Sequence, residues 1–330
     1  MSLSGNLIVS GTKVSPEHYR GRFAPSPTGP LHLGSMFTAV ASYLQAKSKQ
    51  GRWLLRIDDV DTPRVSSGAS DSIMRTLELF ALHWDEDVFM QSQGTDAYNK
   101  ALSRLDEDGW IYPCSCSRKD LASSNGLETV RMVYPGTCRK VNRSRHQPHA
   151  LRVITHDALV SVDDKLQGHH RWDVEREFGD FIVFRRDKIV SYHLATVIDD
   201  WRSGITEVVR GVDLLDSVPI QMYLQSLLGL PNHDYLHLPV LVDRKGIKLS
   251  KQNLAEAVSH RDPSSTLFKI LLLLNQSPPA DIKRTPPGEI LAWAIQAWDV
   301  SKLSGLDCIN EAGEDSCVPA SRKIVDGNSY

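Results

Sequence analysis

The sequence has few cysteines, no long apolar run and almost no net charge. Its 38 Lys and Arg residues nearly balance 40 Asp and Glu residues, which gives a net charge of −2. This balance excludes a globally basic nucleic-acid coat but not a local basic patch. The apolar run ILLLL at residues 270–274 is far shorter than the roughly 20 residues of a membrane span. Residues 1–13 contain no basic segment that leads into an apolar stretch, so no signal peptide is predicted.

Cysteine content indicates the compartment. Five cysteines, a small and odd number, are typical of a reducing compartment rather than of a disulfide scaffold. We therefore expect a cytoplasmic protein without membrane contact. The composition of 41% apolar and 24% charged residues is that of an ordinary globular protein, and 330 residues correspond to about two domains.

The first hundred residues alternate between strand and helix patterns. Residues 20–24 and 52–57 have strand patterns, whereas residues 34–49, 72–82 and 96–108 repeat apolar side chains at helical spacing. Strands that alternate with helices predict βαβ units on a parallel sheet, and therefore an α/β fold.

The middle of the chain breaks this alternation. From residue 114 to about residue 172 the chain is polar, rich in Cys, His and Arg, and without a clear period. Strand and helix patterns then return, which predicts that the middle segment is inserted between two halves of one α/β domain. The tail after residue 254 has helical patterns interrupted by proline, and weak structure is expected beyond about residue 300. The returning patterns are a strand at residues 181–184, a helix at 192–201, a strand at 205–210 and a helix at 216–228.

The most specific motif is the string RFAPSPTGPLHLGS at residues 22–35, which follows the first strand and opens the first helix. A helix N-terminus presents unpaired N–H groups and a positive dipole end to anions. His32 adds a side-chain donor there, and Gly34 permits close approach of a ligand to the backbone. An H-x-G turn alone would favour an ordinary tight turn, but the whole string predicts a site for a nucleotide triphosphate.

A second string, GIKLSKQN at residues 246–253, holds Lys248 and Lys251 three residues apart in a loop led by glycine. Two ammonium groups so placed can neutralise the charge that develops on a leaving pyrophosphate. The loop alone is more typical of a solvated basic segment. Together the two strings, in this order and each at a strand–helix junction, are much more specific than either string alone.

The two strings resemble the "HIGH" and "KMSKS" regions of class I aminoacyl-tRNA synthetases. The start of the first string, together with RIDDVD at residues 56–61, resembles the glutamyl branch of that class. The resemblance implies a Rossmann-like parallel sheet, ATP and Mg²⁺ as a substrate complex, and an aminoacyl-adenylate intermediate. It implies His32, Gly34, Lys248 and Lys251 as catalytic residues, of which His32, Gly34 and Lys251 bind ATP.

The same resemblance implies a division of the chain. We expect a first half of the catalytic domain at residues 18–113 and a zinc-containing, acceptor-binding-like insert at residues 114–178. The second half of the catalytic domain follows at residues 179–253, and a short helical C-terminal region at residues 254–330.

The resemblance also implies how glutamate is bound. Glutamate has two carboxylates and one ammonium, and arginine matches a carboxylate with a planar bidentate fork. Where the family usually has Glu for the substrate ammonium, this chain has Asp58, whose arm is about one methylene shorter unless water fills the gap. The implied glutamate-binding residues are Arg22, Phe23, Ala24, Pro25, Ser26, Asp58, Tyr192 and Arg210.

Chain length bears on the acceptor. Only 79 residues follow Lys251 (330 − 251), too few for the anticodon-binding domain of an ordinary glutamyl-tRNA synthetase. Shortened paralogues of that branch activate L-glutamate without tRNA and attach it to queuosine at the wobble position of tRNA(Asp). The resemblance implies the same substrates for this chain, which we expect to be a monomer. The alternatives are a shortened enzyme that charges tRNA(Glu), a catalytically inactive RNA-binding paralogue and a small-molecule adenylyltransferase.

Three cysteines, Cys114, Cys116 and Cys138, lie within 25 residues of a cysteine-poor chain. This clustering predicts a structural zinc site, which would stabilise an insert with little apolar core. The alternative is a set of three reduced thiols.

A three-cysteine site needs a fourth ligand. Ligand chemistry favours His146 or His149, whereas the resemblance implies Tyr134, four residues before the third cysteine. We predict Tyr134 and keep the histidines as the alternative. The remaining cysteines, Cys308 and Cys317, are expected to be free thiols.

Residues 139–152 are basic and contain no acidic residue. Such a stretch can follow a phosphate backbone and make binding salt-sensitive, or it can be a solvated loop. The resemblance places it near a bound RNA stem and therefore favours contact. The basic residues are Arg139, Lys140, Arg143, Arg145 and Arg152.

Overall fold

The computed structural model describes residues 7–9, 18–117, 120, 133–141, 149–249 and 257–311. Lys251, His146, Arg143, Arg145 and Cys317 therefore lie outside the described residues. In the described ranges, no helix is both long enough and apolar enough to cross a bilayer.

Helices and strands alternate through most of the described chain. The strands are β1 (Leu7–Val9), β2 (Arg20–Phe23), β3 (Arg52–Ile57), β4 (Phe89–Met90), β5 (Ile111–Cys114), β6 (Ala150–Val153), β7 (Ala158–Asp164), β8 (Gly168–Asp173), β9 (Ile182–Phe184), β10 (Glu207–Gly211), β11 (Asp234–Leu238), β12 (Val240–Val242) and β13 (Cys308–Asn310). The helices are α1 (Leu33–Ser48), α2 (Ala69–Leu79), α3 (Thr95–Glu107), α4 (Val174–Glu177), α5 (Tyr192–Arg202), α6 (Ser217–Leu228), α7 (Pro263–Leu273) and α8 (Pro287–Ala297).

Parallel strands carry the candidate site. Strand β3 pairs in parallel with both β2 and β4, with Arg22 opposite Leu54. Strand β10 pairs in parallel with β11, with Arg210 opposite His237. The α/β prediction with parallel strands is confirmed, and the predicted strand at residues 52–57 has the bounds of β3.

A hydrogen bond joins the two groups of parallel strands. The backbone N–H of Thr206, just before β10, donates to the carbonyl of Arg20 at the start of β2 (2.9 Å). Further along both strands, Arg22 Nη1 donates to the Val209 carbonyl (3.4 Å), so β2 and β10 run in the same direction. Their carboxyl ends therefore lie at the same edge, where ligands bind in α/β folds.

The first core lies between this sheet and the C-terminal helices. Helix α1 contacts β2, β3, α7 and α8, which explains why most of its circumference is apolar. Trp53 on β3 is fully buried, and its indole N–H donates to the Ser42 hydroxyl of α1 (3.0 Å). The buried side chains of this core include Met36, Phe37, Val40, Leu44, Trp53, Ile57, Ile270 and Ile290.

Strands β5, β6 and β9 form an antiparallel sheet, and β7 and β8 form a hairpin. No strand is predicted between residues 114 and 172, yet β6 and β7 lie there and β8 begins there. On β8 (GHHRWD) polar side chains stand on both faces, so the alternation that predicts a strand is absent. The β5–β6–β9 sheet joins residues from all three of the segments proposed for the catalytic halves and the insert, whose boundaries stay predictions.

The C-terminal part is more ordered than expected up to residue 311. Strand β13 pairs in parallel with β12, and Ile309 is buried in the first core. The expectation of weak structure beyond residue 300 is therefore wrong for residues 300–311. Cys308 is in a disulfide, so the expectation of a free thiol is wrong for this residue. Composition describes a chain's average chemistry, whereas a bridge depends on the local approach of two sulfurs.

Candidate active site

Predicted glutamate-binding residues meet at the carboxyl edge of the parallel strands. Arg22 lies near the end of β2, Asp58 follows β3, and Arg210 lies near the end of β10. The backbone N–H of Asp58 donates to the Pro25 carbonyl (3.0 Å), which joins the two strings that resemble the glutamyl branch.

Arg22 is held by the buried carboxylate of Asp200. Its Nε and Nη2 donate to Asp200 (3.1 and 3.2 Å), and its Nη1 donates to the Val209 carbonyl (3.4 Å). Of the five N–H donors on a guanidinium, these three contacts leave one on each terminal nitrogen for a ligand. Asp200 has 2% exposure of its side chain, and no sequence motif predicts its role.

Asp58 is paired with Arg56 of the same string. Arg56 Nε donates to Asp58 Oδ1 (2.6 Å), and Nη2 makes a longer contact with Oδ2 (3.4 Å). Burial raises the pKa of Asp58 although Arg56 opposes this shift. The short arm of Asp58 thus reaches Arg56, and Oδ2 keeps the capacity to accept a further hydrogen bond.

Asp200 joins the two arginines. Its Oδ1 also accepts from Arg56 Nη1 (2.6 Å), so one carboxylate contacts both Arg22 and Arg56. Burial opposes its ionisation, but the two guanidinium groups hold the pKa of Asp200 well below its usual range. The adjacent Asp199 differs, because burial raises its pKa to about 6.

Within the described ranges, Arg210 has three side-chain partners and one nitrogen without a partner. Nε donates to His237 Nε2 (3.0 Å), and Nη1 donates to Gln221 Oε1 (2.9 Å) and approaches Tyr192 Oη (3.5 Å). Its Nη2 is buried and has no hydrogen-bond partner in the described part of the chain. Nε2 of Gln221 is likewise buried and unpaired there. A carboxylate bound here would satisfy donors that are otherwise costly to bury.

Residues 23–26 differ in what they can offer. Phe23 is buried, and its ring stacks on Trp53 at a centroid distance of 6.3 Å. Its side chain therefore belongs to the core, and a contact with substrate would use its backbone. Ala24 and Pro25 are partly exposed, and Ser26 is exposed.

His32 is the N-cap of helix α1. Its Nδ1 accepts from the Ser35 N–H (3.3 Å), and its Nε2 lies 2.9 Å from the Ser35 hydroxyl. The prediction that this turn opens a helix is confirmed. Both ring nitrogens face Ser35, so the imidazole is oriented by the helix start itself.

The loop of the second string, which contains Lys248, approaches this turn. Residues 243–248 form a tight turn in which Asp243 N–H donates to the Ile247 carbonyl (2.8 Å). A Cβ on Gly34 would lie 3.2 Å from the Leu249 carbonyl oxygen, so glycine permits the close approach. Lys248 forms an ion pair with Asp213, which follows β10. The two motifs are thus brought together, while the position of Lys251 lies outside the described residues.

The three cysteines form a compact cluster. The sulfurs of Cys114, Cys116 and Cys138 lie within 4.8 Å of one another. Thiolates at 2.3 Å from a tetrahedral zinc are separated by about 3.8 Å, so the arrangement fits zinc. Burial opposes the ionisation of Cys138, but hydrogen bonds from Tyr134 and the Ser115 backbone lower its pKa to about 6.

Tyr134, the predicted fourth ligand, lies beside the three cysteines. Its hydroxyl lies 3.4 Å from Cys114 Sγ and 3.6 Å from Cys116 Sγ, and it accepts from the Cys138 N–H (2.8 Å). Among the described residues, the metal-ligand cluster includes no histidine, so His149 lies outside it. The geometry favours Tyr134 over His149, while His146 lies outside the described residues.

Two residues of the basic stretch contact the protein interior. Arg152 is buried, donates to Cys114 Sγ (3.3 Å) and to the Asp180 carbonyl (2.6 Å), and lies over the Tyr134 ring. Arg139 lies 3.5 Å from the Asp180 carboxylate. The hypothesis of a phosphate contact is therefore wrong for Arg152, because its charge is used within the cysteine cluster. Lys140 is exposed.

Comparisons with known proteins identify the family of the chain. Residues 18–281 match the family model described as "tRNA synthetases class I (E and Q), catalytic domain". The chain therefore belongs to this class I tRNA synthetase family and is a ligase of the aminoacyl-tRNA synthetase type.

Two relatives that are similar over most of the chain share one name. Over 288 residues the chain is 50% identical to a protein of Methylococcus capsulatus named glutamyl-Q tRNA(Asp) synthetase. This alignment covers 86% of this chain and 93% of the relative. A protein of Synechococcus sp. with the same name is 46% identical over 288 residues, with coverages of 86% and 96%.

Solved structures show the same fold. The glutamate-tRNA synthetase of Elizabethkingia anophelis superposes with a TM-score of 0.72 at 25% identity and covers 87% of this chain and 67% of that chain. The glutamate tRNA ligase of Elizabethkingia meningosepticum, solved in complex with its amino acid, has a TM-score of 0.74 at 24% identity, with coverages of 91% and 68%.

Proposed function

We propose that the protein activates L-glutamate with ATP, without requiring tRNA, and then transfers glutamate to the queuosine base of tRNA(Asp). The observation that carries the first step is a pair of buried donors, on Arg210 and Gln221, that have no partner among the described residues. They lie at the edge where Arg22 and Asp58 also lie. The acceptor is supported by the name that the relatives share.

Glutamate is bound through its charges: arginines bind its carboxylates and an aspartate binds its ammonium. Arg22 and Arg210 are the groups for its carboxylates, since each keeps N–H donors that its protein contacts do not use. The ammonium is bound by Asp58, through the oxygen that Arg56 holds less tightly. Tyr192 lies beside Arg210 and limits the space for the side chain. The contacts of residues 23–26 are made through the backbone and through Ser26.

Activation joins glutamate to the α-phosphate of ATP. An oxygen of the α-carboxylate attacks the α-phosphorus, the bond to the bridging oxygen breaks, and pyrophosphate leaves as the Mg²⁺ complex. His32 and Gly34 position ATP at the helix start, and Lys248 and Lys251 stabilise the leaving phosphates. Catalysis is then mainly positioning and electrostatic stabilisation.

Transfer completes the reaction. A hydroxyl of the cyclopentenediol of queuosine attacks the carbonyl carbon of glutamyl-adenylate, AMP leaves and an ester forms. No covalent bond to the enzyme is needed in either step. A second candidate, transfer to the 3′ end of tRNA(Glu), is supported by the fold shared with a glutamate-tRNA synthetase.

Zinc has a structural role in this proposal. Cys114, Cys116, Cys138 and Tyr134 would hold it, and the metal would cross-link the end of β5 to residues 134–138. Arg152 places a positive charge next to Cys114, which balances the charge of the thiolates.

The first step is tested by ATP–pyrophosphate exchange. The purified protein is assayed with L-glutamate, L-glutamine and L-aspartate, each with and without added tRNA. We expect exchange with glutamate alone, at a rate independent of tRNA. Exchange that needs tRNA would contradict tRNA-independent activation, and no exchange with any amino acid would favour an inactive paralogue.

A further inference from the structure

Arg210 is held by a chain of two buried residues that the glutamate site does not include. Arg210 Nε donates to His237 Nε2 on β11 (3.0 Å), and His237 Nδ1 lies 2.6 Å from Asp164 Oδ2. His237 and Asp164 both have 0% exposure of their side chains. These hydrogen bonds therefore connect Asp164 in the interior, through His237, to Arg210 at the edge of the strands.

The protonation of His237 follows from its partners. An arginine Nε always carries a proton, so His237 Nε2 must accept and cannot itself be protonated. Nδ1 of the neutral ring then carries the proton and donates a hydrogen bond to the Asp164 carboxylate. The carboxylate of Asp164 thereby selects the tautomer that can accept from Arg210.

Asp164 is itself fixed by the turn between β7 and β8. Its Oδ1 accepts from the N–H groups of Leu166 (3.0 Å), Gln167 (2.9 Å) and His237 (3.2 Å). One oxygen therefore closes the turn, and the other is left for the imidazole. The turn also lies against β11, because the Gln167 side chain donates to the His237 carbonyl (2.9 Å).

We propose that Asp164 and His237 are positioning residues for glutamate recognition: they orient the Arg210 guanidinium so that its Nη2 faces a substrate carboxylate. Gln221 supports the guanidinium at Nη1, while His237 fixes the Nε edge. The inference rests on the proposed function, since it assigns glutamate to Arg210. It adds two residues, one of them from the β7–β8 hairpin, to the determinants of amino-acid affinity.

Two amides at position 237 form a matched pair. In His237→Gln, the amide oxygen can take the place of Nε2 and accept from Arg210. In His237→Asn, the shorter side chain can still reach Asp164 but leaves Arg210 Nε without its acceptor. We expect His237→Asn to raise the KM for glutamate in pyrophosphate exchange by about 10-fold to 100-fold, the effect of losing a hydrogen bond to a charged group. His237→Gln should restore most of the affinity, to within about threefold of the wild-type KM.

Asp164→Asn tests the tautomer separately. Its carbonyl oxygen can keep the turn hydrogen bonds, but its NH₂ group faces Nδ1 and donates to it. The proton of His237 then moves to Nε2, where it opposes the N–H of Arg210 Nε. We expect the KM for glutamate to rise about 10-fold or more while the KM for ATP changes less than twofold. In the His237→Gln background, which has no tautomer to select, Asp164→Asn should raise the KM much less.

The outcomes separate this inference from the proposed function. If the wild-type protein shows no glutamate-dependent exchange, the proposed function fails. If the wild type is active but His237→Asn and His237→Gln change the KM for glutamate equally, or if ATP and glutamate are affected alike, the positioning role is wrong. Melting temperatures of all variants identify any that are unfolded, and Asp164→Asn then decides the question independently of position 237.

Discussion

Replacing Asp200 with Asn should destabilise the protein more than replacing its neighbour Asp199. Asp200 accepts hydrogen bonds from both Arg22 and Arg56 in a buried site. Removing one partner of a buried ion pair costs roughly 3–5 kcal/mol, because it leaves a buried charge unpaired. Asn keeps one acceptor and Asp58 still faces Arg56, so we take the lower value, about 3 kcal/mol. At about 2 °C per kcal/mol for a large domain, the melting temperature should fall by about 6 °C.

Asp199→Asn is the matched control. Asp199 accepts from the Gln91 side chain (2.9 Å) and from Tyr98 (2.8 Å), and burial raises its pKa to about 6 from an ordinary 3.8. A group whose pKa is raised on folding contributes stability below its unfolded pKa and loses it as pH rises through the folded value. At pH 8 the charge on Asp199 is therefore unfavourable, and a neutral amide should cost little or increase stability.

The pH dependence has the opposite sign for Asp200. Its pKa is lowered on folding, so its contribution is present above about pH 4 and is lost as pH falls below that value. Melting temperatures at pH 8 and pH 5, measured by differential scanning calorimetry, should therefore place Asp200→Asn about 6 °C below the wild type at both pH values. The melting temperature of Asp199→Asn should be nearer to that of the wild type at pH 8 than at pH 5, or should exceed it at pH 8. Equal losses for the two variants would refute the argument that the charge of Asp200 holds the two arginines.

Three further predictions concern the nucleotide and metal sites. Lys251→Ala should slow ATP–pyrophosphate exchange by about 100-fold or more, as expected for loss of a charge on the leaving phosphates, with the dissociation constant of glutamate from calorimetry nearly unchanged; equal losses in both would contradict its role. Gly34→Ala should lower the kcat of exchange by about 10-fold, because a misplacement of under 1 Å at a reacting site is costly and the new Cβ would lie 3.2 Å from the Leu249 carbonyl; an unchanged kcat would show that the two loops need not approach so closely. Cys138→Ser should lower bound zinc, measured by atomic absorption, from about one ion per chain to a small fraction, whereas zinc retained in full would exclude Cys138 as a ligand.

The sequence predicts the elements whose periodicity matches their burial. Residues 52–57 form β3, and helix α1 begins within one residue of the expected start. Strand β8 was missed because polar side chains on both faces hide the period of two. Strand β7 does alternate, but only over residues 158–163, a short stretch within a polar segment. Strand β13 was missed because its pairing with β12 is a contact between distant segments, which no local pattern reports.

The candidate site shows the same limit. Arg22 and Asp58 could be named because they lie in short strings that resemble a family, and Tyr192 and Arg210 because that resemblance implies them as glutamate-binding residues. The residues that orient Arg22 and Arg210, which are Asp200 and His237, lie outside the strings that resemble the family. Their roles follow from buried contacts across 178 and 27 residues of sequence, and such contacts become visible when the strands are placed side by side.

The most direct test of the account is to identify the RNA that accepts glutamate. The protein, labelled L-glutamate and ATP are incubated with purified tRNA(Asp) that contains queuosine, with the same tRNA lacking queuosine, and with tRNA(Glu). We predict label on the queuosine-containing tRNA(Asp) alone, released by mild alkali as expected for an ester. Label on tRNA(Glu) would contradict the proposed acceptor and identify a shortened translational synthetase.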